Sequence, residues 1–550
     1  MRFFPALLIF FGAIALRAQP SLSDLTGDLA KAMQEVETAK ATLSQSIETV
    51  KDKPYVIVYH LSTTSPKGRT LEEEWRFNLA DIDSRSVRVE DGKDALRINL
   101  KMDKGQKYVQ YFKDGSLTSY TDNLEFYGKD IDNARQIESL LLAAVPKAMA
   151  AWDQTANIEG LNNDQLLELL MKLVDDMELD GTNYRQRLTQ MPDYPDRLNL
   201  NLVTSNARNS RQETYIWSLG DLKPGGVRIN FSGDDALVEA VTKDNMPWVY
   251  VQEEGVQKDY AKAVYFRVPD ADRGKQLVAV LEKLIPFGER SIQSRLPSPG
   301  NPAENFDRIS ASLGAFSVGK NSYNVGLEKK CQTRLTETQG STNMEYAFHM
   351  GDLDPKSVKL EMDDDQVEIH VNTEKKADYI WVSKDGEQAN YDDEIVIQVA
   401  DVEKGRLIAY LLPTLIDQCP EEVNFGKFED VEKWISDGKA PDTGISQTLS
   451  RKSGEEACKW KYVIRDNDEK KPSEESYEFN AYDLDPDQVR IEVNRKTVSV
   501  EVQTLRKQNI ISSVVKEKPG FVSSLAFEVA DIKSAKSLRT TLEQLIAECK

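Results

Sequence analysis

The chain has 550 residues, with 70 Lys and Arg against 91 Asp and Glu, and a net charge of −21. That length exceeds what one hydrophobic core holds, so three to five domains are expected. An acidic body repels phosphate backbones and anionic head groups, which argues against nucleic acid as a partner. A 40% apolar composition is that of folded domains rather than a disordered chain.

The first eighteen residues read as an export signal. Arg2 gives a short positive end, an apolar run extends from Phe3 to Leu16, and small residues place cleavage after Ala18 or after Ala15. The run is too short to span a bilayer, and no later segment is apolar enough to do so, so no membrane insertion of the mature chain is expected. The last unit reaches Lys550 without a sorting tail, which favours the periplasm over the cell surface.

Beyond the signal, one strand-and-turn phrase occurs four times, at Trp75–Asp81, Tyr215–Asp221, Tyr346–Asp352 and Tyr477–Asp483, with successive Asp residues 140, 131 and 131 apart. A second landmark, an Asp opening a late helix, recurs at Asp130, Asp270, Asp401 and Asp531. Two landmarks on one period predict four tandem units, over residues 22–152, 153–288, 289–419 and 420–550.

Each unit is expected to begin with a helical lead, about Asn163 to Leu179 in the second and Phe428 to Ile435 in the fourth. A short linking phrase follows, such as Leu43–Ile47, Tyr184–Leu188, Tyr323–Leu327 and Ile445–Leu449. Tyr55–Thr63 and Trp460–Arg465 read as opening strands, and the anchor phrase alternates like a half-buried strand. It ends in turns led by Asp83, Lys223, Asp354 and Asp485, where Asp accepts a backbone N–H and a following Pro fixes φ. Hairpin strands come next, and then Lys113-Asp-Gly115 and Lys384-Asp-Gly386 supply tight turns. An amphipathic helix closes each unit. In the fourth, Ile532, Ala535, Leu538, Leu542, Leu545 and Ile546 form its stripe, and Asp531 is placed to cap its first turn.

The expected fold class is therefore α+β: a bent antiparallel sheet of about six strands closed by a C-terminal helix, repeated four times. In strand order and helix position each unit resembles the pleckstrin-homology-like superfold. The resemblance implies a scaffold and no inositide binding, since the basic loop of its lipid-binding members has no counterpart here.

The four cysteines, Cys331, Cys419, Cys458 and Cys549, fall two each in the third and fourth units at matching places. Equal placement favours Cys331–Cys419 and Cys458–Cys549 among the three possible pairings, and an export signal favours oxidation.

No nucleophile, phosphate-loop or metalloprotease motif stands out, and His60, His349 and His370 are scattered. The pairs Asp81/Asp83, Asp352/Asp354 and Asp483/Asp485 are the candidate metal ligands, weighed against a structural role in turns. Asp363-Asp364-Asp365 falls in an expected hairpin loop, and Asp466-Asn-Asp468 lacks the remainder of a calcium loop. Trp75, Trp217, Trp248 and Trp381 are expected in cores, with an aromatic platform for glycan or peptide as the alternative. No catalytic residue and no cofactor is expected. The sequence points to an exported, non-enzymatic multi-repeat protein that binds or scaffolds an unknown protein or glycan. A calcium-stabilised array using the Asp pairs and a hydrolase with a carboxylate site between modules are the alternatives.

Overall fold

The structure is a computed structural model, described here for residues 20–421, 423–438, 445–466 and 473–550. The export signal and its cleavage sites, together with Asn467 and Asp468, lie outside these residues. The chain divides into two compact units, residues 1–295 and 296–550.

The first unit opens with helix α1 (Leu22–Ala32), capped by a reciprocal Ser21–Asp24 box. Nine strands follow: β1 (Val36–Glu37), β2 (Thr42–Val50), β3 (Lys53–Thr64), β4 (Thr70–Asn78), β5 (Arg88–Asp91), β6 (Leu96–Lys101), β7 (Val109–Lys113), β8 (Ser116–Thr121) and β9 (Asn123–Gly128). They form two antiparallel sheets, a long one ordered β1-β2-β3-β4-β7-β8 and a short one ordered β5-β6-β9. The same two-sheet arrangement recurs over residues 177–267 and 314–399, and over residues 445–529 with five described strands in the long sheet. The class is α+β, but the single sheet of about six strands expected from the sequence is replaced by two. After β4, two 3₁₀ turns at Leu79–Asp81 and Ser84–Ser86 bury Leu79 and Ile82 and carry the chain off the ladder. The β5–β6 hairpin then pairs with β9, and β4 takes β7 as its next partner.

The linking phrases are not linkers. They lie in strands of the long sheets, Thr42–Val50, Thr182–Met191, Asn321–Leu327 and Ile445–Arg451. The second lead is also shorter than expected, because its helix ends at Leu173 and Met177–Leu179 pairs as a strand.

Closing and leading helices alternate as α2 (Ile131–Thr155), α3 (Asn163–Leu173), α4 (Ala271–Arg295), α5 (Pro302–Ser312), α6 (Val402–Asp417), α7 (Phe428–Ser436) and α8 (Ile532–Glu548). Asp130, Asp270, Asp401 and Asp531 each accept the backbone N–H three residues on, at 2.8, 2.7, 2.9 and 2.7 Å, so all four closing helices start on a charged cap. Gly220 marks where α4 crosses a 3₁₀ turn: a Cβ there would lie 2.6 Å from the Gly288 carbonyl carbon.

One hydrophobic core runs from Leu22 to Ala148, and a second from Leu166 to Ile285 takes in Tyr120. A third spans Phe428 to Ile546. Cys331 is bonded to Cys419 and Cys458 to Cys549, each joining a point near an early strand to the end of a closing helix. No described helix is long and apolar enough to cross a membrane. The two disulfides are compatible with export.

Candidate functional site

The candidate Asp residues separate by role. Asp83, Asp354 and Asp485 each turn inward and accept the backbone N–H two residues on, at 3.1, 2.9 and 3.1 Å, the local work of a turn aspartate. Asp81 and Asp352 are instead held by lysines from distant helices. Lys275 Nζ lies 2.7 Å from Asp81 and 2.8 Å from Asp272, over the rings of Trp152 and Tyr108. Lys536 bonds Asp352 and lies 2.7 Å from Glu421, over the ring of Tyr379. Burial pushes the Asp81 carboxyl up to about 6 against the pull of Lys275, and burial likewise raises Asp352. Asp483 is half-buried. No described group of three or more His, Cys, Asp or Glu side chains is placed to hold a metal ion.

His60 lies 3.3 Å from Glu74, and His349 Nδ1 accepts the Gly351 N–H. His370 sits between Glu394 and Glu368 at 2.9 and 3.1 Å. Burial alone would lower its pKa, but the hydrogen bonds of those two carboxylates outweigh it and raise it. Burial, helped by Glu368, pushes Glu337 up to about 7.

Three buried glutamines sit at the centre of the phrases the sequence reading took for linkers. Gln45 donates to the carbonyls of Gln34 and Tyr127 and accepts the Tyr127 N–H. Gln186 does the same with Asp175 and Arg267, and Gln447 with Ile435 and Glu528. Each amide stands in for a strand partner, stitching the long sheet to the last strand of the short one. A Gln flanked by polar residues between two apolar ones was the available signal, and its recurrence at one place in the period could have exposed it.

A cleft of ≈ 960 Å³ lies in the first sheet pair. Its floor is formed by Trp75 on β4 and Tyr111 on β7, cross-strand neighbours with ring centroids 5.3 Å apart, and the fully buried Tyr59 on β3 backs Trp75 from the core at the same distance. The floor ends at Ser119, the cross-strand partner of Tyr111 on β8, which is too small to cover the far face of the Tyr111 ring. By strand register the polar residues Arg88, Glu90, Asn99, Glu125 and Tyr127 share one face of the short sheet, and that face forms the opposite wall. Arg85 and Asp83 pair at the rim at 2.9 Å. Tyr111 donates to Glu73 at 2.6 Å, and burial with that bond pushes its hydroxyl up to about 12.

Of the tryptophans expected in cores, Trp217 is fully buried and packs edge-on to Phe266, whereas Trp75 is half-buried and faces the cleft. Comparison with models of known families gave no match, and neither did comparison with curated proteins or with solved structures. The arrangement of the cleft itself therefore carries the functional reading. An apolar floor with amide, carboxylate and guanidinium groups of both signs around it suits an uncharged, hydroxyl-rich ligand.

Proposed function

We propose that the chain is an exported, non-enzymatic binding protein, retained in the periplasm and built from four copies of one unit over residues 22–152, 153–288, 289–419 and 420–550. The outline of each copy is that of a pleckstrin-homology-like scaffold used without lipid binding. Its ligand is a glycan, taken in the cleft of the first copy. The observation that supports this is the aromatic pair Trp75–Tyr111 open to the ≈ 960 Å³ cleft. A pyranose ring stacks its C–H face on Tyr111 while its hydroxyls bond Glu73, Asn99 and Glu125, a division of labour that aromatic and planar polar side chains perform together.

The charges around the cleft nearly cancel, with Asp83, Glu73, Glu90 and Glu125 facing Arg85, Arg88 and Lys101. A neutral saccharide fits that balance better than a charged peptide. Calorimetric titration with neutral hexasaccharides of differing linkage tests this. Saturable binding to at least one of them is expected, weakened roughly tenfold or more by Asn99→Ala. Ser119→Tyr fills the space beside Tyr111 and should block binding without disturbing the core. Absence of binding to every saccharide tried, or binding unaffected by Ser119→Tyr, would remove this reading.

A further inference from the structure

Within each of the two compact units, one copy meets the next through the same set of positions. In the first unit Tyr108 and Tyr120 pack on Phe231, with ring centroids at 6.1 and 4.6 Å, and Gln110 donates to the Pro269 carbonyl at 2.8 Å. Asp81 receives Lys275 beside them. In the second unit the corresponding Tyr379 lies 4.6 Å from Lys536, and the Tyr391 N–H donates to the Arg495 carbonyl at 2.8 Å. Asp352 receives Lys536. Each junction therefore has a donor side and a receiving side. The donor side is the outer face of a hairpin plus the anchor Asp. The receiving side is the tip of the short-sheet hairpin plus the cation five residues past the helix-capping Asp.

The fourth copy keeps the donor side, exposed among the described residues. Ile510 and Phe521 stand where Tyr108 and Tyr120 stand, and they are 42% and 66% exposed; Val514 on the same face is 39% exposed. Asp483 has no charged partner among the described residues. The first copy keeps the cation of the receiving side, and exposed Asp91 stands where the second copy has Phe231. Its Arg135, five residues past Asp130, is exposed and also lacks a charged partner among the described residues. The two ends differ in charge: exposed Arg506, Lys507, Lys516 and Lys518 outnumber Glu517 in the turns of the fourth-copy face, while exposed Asp91, Asp94, Asp130 and Asp132 outnumber Lys93, Lys129 and Arg135 at the β5–β6 tip and the start of α2.

We propose that the chain associates head to tail with a second copy of itself, the Phe521 face of one molecule seating on the β5–β6 tip and the start of α2 of the next, with Asp483 receiving Arg135. This rests on the four-copy reading. The contact repeats the charge pairing of the internal junctions between molecules, with Asp91 facing the basic rim in place of an aromatic contact, and a heterologous contact of this kind builds rings or open chains rather than a two-fold dimer. Pairing of two Phe521 faces would set basic rims against each other.

Sedimentation velocity of the full chain over a concentration series tests it. Average mass should rise with concentration and fall when salt is added. Phe521→Asp and Arg135→Glu, both at exposed positions, should each weaken association roughly tenfold or more. Mixing the two variants is decisive, because the mixture holds one intact tail and one intact head and should give a dimer and nothing larger. A wild-type chain that stays monomeric throughout overturns the proposal, as does a mixture that forms no dimer. Unfolding of Lys275→Met and Lys536→Met separates that failure from failure of the four-copy reading: destabilisation by both keeps the internal junctions equivalent, and destabilisation by only one removes the copy reading itself.

Discussion

Lys275 Nζ sits 2.7 Å from Asp81 although 194 residues separate them in sequence, and Lys536 repeats the bond to Asp352 across 184 residues. Both lysines are largely buried, with side-chain exposures of 17% and 8%. Removing one partner of such a pair strands the other charge away from water, at a cost of about 3–5 kcal/mol. Lys275→Met should therefore destabilise the first unit by about that amount in urea unfolding. The double change Lys275→Met with Asp81→Asn should restore part of it, because Asp81 then carries no unpaired charge while Asp272 still lacks its lysine.

Asp81 also sets a pH dependence. Its folded pKa is raised to about 6 from an ordinary 3.8, with burial as the largest cause. Between those values the folded state binds more protons than the unfolded one, so stability falls as pH rises. The contribution is fully present below 3.8 and is lost as pH climbs through 6, a span of roughly 3 kcal/mol for a shift of this size. Melting curves from pH 3.5 to 7 should show wild type losing stability relative to Asp81→Asn across that window. Parallel curves for the two proteins would mean that the carboxyl does not titrate there.

The buried glutamines make a sharper prediction, because they bond the backbone. Gln447→Leu leaves the Glu528 N–H and the Ile435 carbonyl without their partner. A buried backbone group left unsatisfied costs about 1–3 kcal/mol, so the substitution should lower stability by that order or more. Amide hydrogen exchange at Glu528 should rise well above that of its strand neighbours. Unchanged protection there would show that water replaces the amide.

What the sequence made legible was local. An Asp three residues ahead of its partner N–H is a cap or a turn wherever it lies, so Asp531 and its equivalents could be placed from spacing alone. The helical leads and opening strands followed from periodicity for the same reason. The split into two sheets was not legible, because the pairing of β4 with β7 skips a hairpin and nothing in either strand encodes that choice. Burial of Gln45 and its equivalents was not legible either, since burial of an amide depends on carbonyls supplied from up to 82 residues away. The Lys275–Asp81 bond depends on how α4 seats against the turn after β4, and Lys275 reads in sequence as an ordinary exposed position of an amphipathic helix. The cleft was half legible: Trp75 was singled out, but its exposure depends on how far the long sheet runs past the short one.

The disulfides divide the chain energetically. Cys331–Cys419 and Cys458–Cys549 close loops of 88 and 91 residues, and both lie in the second half. In the chain-entropy model a cross-link of that length removes about 4 kcal/mol of freedom from the unfolded chain. The first unit has no such constraint and is held by packing, capping and the Lys275 pair. Reduction should therefore leave the unfolding of residues 1–295 in place and shift that of residues 296–550 to lower denaturant. Cys458→Ser with Cys549→Ser should reproduce part of the shift without reductant, while Lys275→Met should move only the other transition. Tryptophan fluorescence at Trp217 against Trp460 distinguishes the two transitions in single-tryptophan variants. A single transition that moves as one under both perturbations would mean the two halves unfold together, and that the covalent links stabilise the whole chain.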